Sequence, residues 1–238
     1  RPFIDVSRFN ITADYQRVPY TLSVNGGRFL LKDTRIDVAG VDVSSKAGTV
    51  SDVNGSVDWG SASAVDVRAG ESSLDLSVLY PWLKSMSVFK QRLAPCSSIK
   101  GGVRLTAAEL NGDLFEPEKW DFRLTGSVEG LIADVRPVGD KVFIERGDFT
   151  ADRKTVLFSE TKMRLMDASL HLSGEIRDYV DRDHTRSIDL AGVLGARALK
   201  WVSALVKLPP EITIQPPLWI SSAHLATEKG GRLSFSGK

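Results

Sequence analysis

Cysteine is almost absent. Cys96 is the single thiol in 238 residues. One thiol excludes an internal disulfide and a cysteine-built zinc site, and Cys96 is expected to be a small residue near a helix end. An excess of charge of one sign is missing as well. The chain carries 31 Lys and Arg against 30 Asp and Glu, a net charge of +1. That balance, with the signs interspersed, gives no field to gather nucleic acid, so no nucleic-acid partner is expected. No run reaches the roughly 18 consecutive apolar residues that a bilayer-spanning helix needs. The longest candidate, Val193 to Leu208, is broken by Arg197, Lys200 and Lys207. No signal-peptide pattern opens the chain. Arg1 stands first without Met, and Lys238 follows a strand-like run directly. Both ends therefore read as cuts, and any membrane anchor is expected outside this sequence.

Catalytic patterns are scarce too. The three histidines are His171, His184 and His224, with no HExxH. His171 falls on the polar phase of an alternating strand and is expected to face solvent. His184 sits among Asp178, Asp181 and Asp183, but the stretch lacks the central glycine and distal glutamate of a calcium loop. Arg177, Arg182 and Arg186 neutralise it, so a solvated hairpin loop is expected. The pairs Gly26-Gly27, Gly101-Gly102 and Gly230-Gly231 lead into no phosphate-binding glycine motif and read as turns. There is no GxSxG elbow, and no carboxylate pair stands out for acid–base work. The expectation is a protein that is not an enzyme, with no cofactor and no metal.

What is present is ordinary composition and a strong pattern. Apolar residues make up 42% and charged residues 26%, typical of a soluble globular chain. The length suffices for one large β domain or two small ones. The pattern is period-two alternation. It runs through Tyr20–Val24, Ile36–Val38, Phe122–Thr125, Met166–Ser173, Ile188–Leu190 and Leu233–Ser236. Successive strand side chains face opposite ways, so each segment has one apolar and one polar face, the signature of antiparallel rather than buried parallel strands.

A short unit recurs inside this pattern: apolar, any, apolar, small, glycine. It occurs at 36–40, 122–126, 170–174, 188–192 and 233–237. Glycine there permits a bulge, bend or positive-φ turn, the devices of a sheet that curves. A longer likeness relates Gly27, Phe29, Ile36 and Val38 to Gly147, Phe149, Val156 and Phe158, with equal spacings. It predicts a repeated strand–turn–strand unit.

Two stretches change period. Leu79, Trp82, Leu83, Met86, Phe89 and Leu93 mark the apolar face of a helix within 78–93, with Pro81 in its first turn. Leu199, Val202, Leu205 and Val206 mark a second over 196–208, ended by Pro209 and Pro210. Pro216 and Pro217 precede an extended Leu218-Trp219-Ile220, expected at a sheet edge or a strand's first residue.

The predicted fold is mainly β: strongly curved antiparallel sheet, groove-like or sandwich-like, built from repeated strand units with two short amphipathic helices. The expected organisation is one β-repeat unit over 1–110, with a helix near 80–93, and another over 111–238, with a helix near 196–208, or the two as one continuous domain. A curved sheet must cover its apolar face with helix, a second sheet or a ligand, and two short helices are too few to cover all of it. An apolar trough is therefore expected, with Phe122, Leu124, Leu170, Leu172, Leu190, Leu233 and Phe235 as candidate lining. A closed sandwich core would use the same residues. A structural domain that binds a partner through a free strand edge near 212–220 is the rival expectation.

Several segments resemble the AsmA-like family. They are the strands closed by a small residue and glycine, the Gly147–Asp152 turn region, and Leu74-Asp75-Leu76-Ser77-Val78-Leu79-Tyr80-Pro81-Trp82-Leu83 leading into a helix. The return strand Ile99-Lys100-Gly101-Gly102-Val103-Arg104-Leu105 and the passage from Ala198-Leu199-Lys200-Trp201 through Lys207-Leu208-Pro209 to Pro217-Leu218-Trp219-Ile220 are similar as well. The resemblance implies a Gram-negative envelope protein, held by an inner-membrane helix outside this sequence, with its body in the periplasm. It implies β-groove repeats that carry phospholipid or other acyl-chain lipid for envelope maintenance, with other envelope proteins as further partners.

Overall fold

The computed structural model describes residues 3–14, 18–61, 63–86, 90, 93–116, 119–136, 138–179, 184–206, 214–227 and 233–237. The first strands are β1 (Phe3–Ala13), β2 (Leu22–Lys32), β3 (Arg35–Ser45), β4 (Gly48–Asp58), β5 (Ala64–Ala69) and β6 (Ser72–Asp75). Helix α1 (Leu76–Ser85) follows, then β7 (Cys96–Asp113), β8 (Asp121–Val135), β9 (Asp140–Asp152) and β10 (Thr155–Leu165). The chain continues through β11 (Ala168–Arg177), β12 (Thr185–Leu194), α2 (Ala196–Val206), β13 (Leu218–Thr227) and β14 (Leu233–Gly237). The strands form one antiparallel sheet in chain order, except that β5 and β6 share the lane between β4 and β7. The predicted class, mainly β with an antiparallel sheet of repeated strands and two helices, is the observed one.

Two compact units form. Unit 1 comprises 1–94, 100–127 and 150–153; unit 2 comprises 95–99, 128–149 and 154–238.

The strands of unit 1 bend along a shared line. Arg8 (φ 55), Gly27 (φ 63), Gly40 (φ 62) and Asp52 (φ 52) all take left-handed backbone. Pairing aligns them, because Ser7 and Phe9 flank Arg8 opposite Arg28 and Gly26. The register of β3 on β4 slips between Val38 and Val41, around Gly40, and again between Val41 and Val43, opposite Asp52. The line continues to the gap between β5 and β6, where Gly70 N–H donates to Ser51 O and Ser51 N–H to Glu71 O, both at 2.9 Å. Inserted residues bend a strand and increase its twist, so bulges in neighbouring strands crease the sheet. The glycines of the short sequence unit take part, but Gly40, Gly126, Gly174 and Gly192 lie inside strands rather than closing them.

Unit 2 repeats unit 1 with a shift of 120 positions. β3 starts at 35 and β10 at 155; β4 starts at 48 and β11 at 168; α1 starts at 76 and α2 at 196. The bulge between Val38 and Val41 recurs between Phe158 and Thr161. Glu160, with φ 46, stands where Gly40 stands. The Gly27/Phe29 and Gly147/Phe149 likeness is therefore part of a longer structural repeat.

Both helices start straight from a strand. Asp75 caps α1: its carboxylate accepts from the Ser77 N–H at 2.8 Å, so the helix begins before the predicted 78. Pro81 consequently lies inside the helix rather than in its first turn and cannot donate to the Ser77 carbonyl. Of the predicted extension to 93, residues 87–89 and 91–92 lie outside the described ones. The α2 N-terminus is capped from elsewhere, by Asp167 in the turn after β10, which accepts from Arg197 N–H at 2.9 Å and Ala198 N–H at 2.8 Å. Met166-Asp167 is thus a turn, not the start of a strand. β13 begins at Leu218 as predicted, but it is internal, between β12 and β14. The free edges among the described strands are β1 and β14.

Candidate functional site

Cross-strand pairing stacks the apolar phases into continuous rows. In unit 1 one row runs Ile4, Leu31, Ile36, Val57, Val65 and Gly112. The next runs Val6, Phe29, Val38, Gly55, Val67 and Leu110. Beyond the crease, Ile11, Val24, Val43, Val50, Ser72 and Leu105 form a third. The bulges matter here. Each of β1 to β4 has left-handed backbone at the crease, which takes up one position of the two-residue alternation, so the apolar phase returns to the same face on both sides instead of flipping. The Phe9 ring stands edge-on to Phe29 at 5.2 Å on this face. The opposite face carries ion pairs, among them Arg28–Asp5 and Arg35–Asp37. The Arg28 guanidinium, hydrogen-bonded to Asp5, holds that carboxyl below its ordinary value.

These rows are covered only partly. Among the described residues no large side chain is fully buried. Most row residues are half-buried, and Ile4 and Ile11 at the β1 edge are 55% and 42% exposed.

The candidate lining residues distribute as follows. Phe122 and Leu124 on β8 are half-buried. They share a face with Gly126, whose Cα would project a Cβ to within 3.0 Å of Leu105 Cα, so they continue the unit 1 rows. Leu172 on β11 faces Leu190 on β12, which faces Ala223 on β13; both leucines are half-buried. Leu170 differs. It is buried with Ala168 and Leu194 beneath Ala198 and Leu199 of α2, as core rather than open lining. The helix thus closes one end of the unit 2 face, with Leu172 at the margin of that cluster. The register sets position 235 opposite Leu225 and position 233 opposite Thr227; the side chains of Leu233 and Phe235 lie outside the described ones.

The sequence reading did not single out the β1 and β2 contributions, Val6, Phe9 and Val24. The Val24 phase was visible, but β1 alternates poorly because the left-handed Arg8 interrupts its two-residue phase. Among the described residues no three His, Cys, Asp or Glu side chains converge as metal ligands. His171 is exposed, and His224 pairs with Asp189 at 2.8 Å across β12 and β13 on the polar face. No described helix is long and apolar enough to cross a membrane. No family model, curated protein or solved structure matches the chain.

Proposed function

We propose that this chain is a non-catalytic lipid-handling module of a Gram-negative cell envelope, similar to AsmA-like proteins. Its apolar sheet face binds phospholipid acyl chains on the periplasmic side of the inner membrane. The observation that carries the reading is the set of apolar rows that cross strand after strand while staying half-buried. A strip of that kind on a folded protein marks a binding surface, and its scarcity of polar side chains, Ser72 apart, fits hydrocarbon better than peptide. Anchorage would come from a segment outside this sequence.

The test is native mass spectrometry of the purified chain, with lipid extraction and analysis. Co-purifying phospholipid in stoichiometric amount is expected. It should be lost in a Leu124→Asp, Leu190→Asp double variant whose circular dichroism matches that of the wild type. A lipid-free mass that persists after incubation with detergent-solubilised phospholipid would refute the reading. A second reading, an adaptor that pairs a partner strand with β1, is favoured by the exposure of Phe3 (62%) and Ile4 (55%) along that free edge.

A further inference from the structure

The Gly147, Phe149 and Phe158 motif has a use that the repeat alone does not explain. In unit 2 a cleft of about 250 Å³ opens beside it. Val128 of β8, Ile144 and Phe149 of β9, Phe158 and Met163 of β10, and Leu172 of β11 form its walls. Its accessible lining is almost wholly apolar.

Two features make the cleft a built site. The first is Gly147, which is buried and carries no side chain at the wall. A Cβ there would come within 2.7 Å of Thr161 Oγ1, so any side chain at 147 would collide with the buried Thr161 side chain. The buried Thr161 hydroxyl donates to Ser159 O at 3.2 Å, so that hydroxyl needs no water from the cleft. The second is a difference between the two units. In unit 1 the Phe9 ring of β1 packs on Phe29, the equivalent of Phe149. In unit 2, β8 contributes Val128 to the lining beside Phe149, and the space stays open.

Ligand class follows from size and polarity. An apolar cavity of about 150 Å³ stays dry and takes benzene; by that scaling this cleft takes a hydrocarbon of roughly eight to ten carbons. Asp148 and Thr161 border the cleft, but they give its accessible surface almost no polar area, so it suits the hydrocarbon of a lipid rather than the headgroup. We propose that the cleft holds the methyl-terminal segment of one acyl chain, and that Val128 and Met163 set how much chain it accepts. This rests on the lipid-handling reading and adds to it a site that selects chain length.

The test is displacement of a fluorescent fatty acid by straight-chain carboxylates of increasing length, for the wild type, Val128→Phe and Met163→Ala. Each buried methylene contributes about 0.8 kcal/mol, about fourfold in affinity. Val128→Phe, which fills the cleft, should end that gain at shorter chains and weaken the longest ligands by tenfold or more on the same constants, with short ones unchanged. Met163→Ala, which deepens it, should move the optimum to longer chains, a shift that loss of packing alone would not produce. Identical length profiles in all three proteins would overturn the cleft proposal and leave the lipid reading standing. No binding of any chain by the wild type would overturn both.

Discussion

Gly27 and Gly40 offer a controlled pair for testing the crease. Both lie on it, in adjacent strands, at nearly the same φ, 63° and 62°. They differ in room. A Cβ at 27 would stand 2.5 Å from Ala39 O and 2.6 Å from Gly40 O, whereas a Cβ at 40 would meet nothing within 4 Å. Left-handed backbone costs a non-glycine residue about 1–2 kcal/mol. That is the whole expected cost of Gly40→Ala. Gly27→Ala must also push the β3 backbone away, and overpacking of that kind adds about 1–3 kcal/mol, for a total of about 2–5 kcal/mol. At about 2–4 °C per kcal/mol for a chain of this size, Gly40→Ala lowers Tm by about 2–8 °C and Gly27→Ala by about 4–20 °C. Urea unfolding followed by circular dichroism, with calorimetry alongside, measures both. Equal losses for the two variants would refute the close approach of β2 and β3. No loss at Gly40 would refute the crease itself.

Two other sites give predictions of different kinds. Backbone hydrogen bonds from Arg197 and Ala198 hold the Asp167 carboxyl below its ordinary value of 3.8. A carboxyl depressed in the folded state contributes stability that is present above its unfolded pKa and lost as pH falls through the folded value. The wild type should therefore exceed Asp167→Asn in urea midpoint at neutral pH, and the two curves should converge below pH 3.8; parallel curves would show that the cap does not titrate. The Tyr20 hydroxyl is buried with no hydrogen-bond partner, and burial raises its pKa above the ordinary 10.0. Tyr20→Phe keeps the edge-on packing with Trp82 and should raise stability by up to about 1 kcal/mol; a comparable loss in the same urea assay would mean the hydroxyl is satisfied.

Sheet type and face were legible because they depend on local alternation. Leu170, Leu172 and Leu190 could be assigned to one face from two-residue steps alone, and pairing puts them there. The crease was half legible. Gly40 marks it in the sequence, but Arg8, Asp52 and Glu160 hold the same backbone without glycine, so composition hides three of its positions. The helix starts depended on carboxylate caps. Asp75 beside its helix was readable in principle, whereas Asp167 reaches α2 from 30 positions away, a relation that only folding reveals. Which lining residues lie open and which lie covered was likewise a tertiary matter. Leu170 and Leu172 read alike, and α2 covers the first while leaving the second at its margin.

The two functional readings differ in how much surface they account for. A partner strand added to the β1 edge would cover Ile4 and Ile11, the row residues most exposed there. It would leave the rows unchanged across β2, β3, β4 and β5, because those strands already have neighbours on both sides. What remains half-covered is a face, not an edge, and hydrogen bonding to a strand cannot cover a face. The face is also kept across the crease. In β3 the apolar residues change sequence phase between Val38 and Val41, and the one residue inserted there returns them to the same face; β10 repeats the shift between Phe158 and Thr161. Chain cover by α2 ends near Leu172, where the apolar cleft begins. An occupant that lies along the rows, and is itself apolar and flexible enough to follow a creased sheet, meets all three conditions, and an acyl chain is such an occupant.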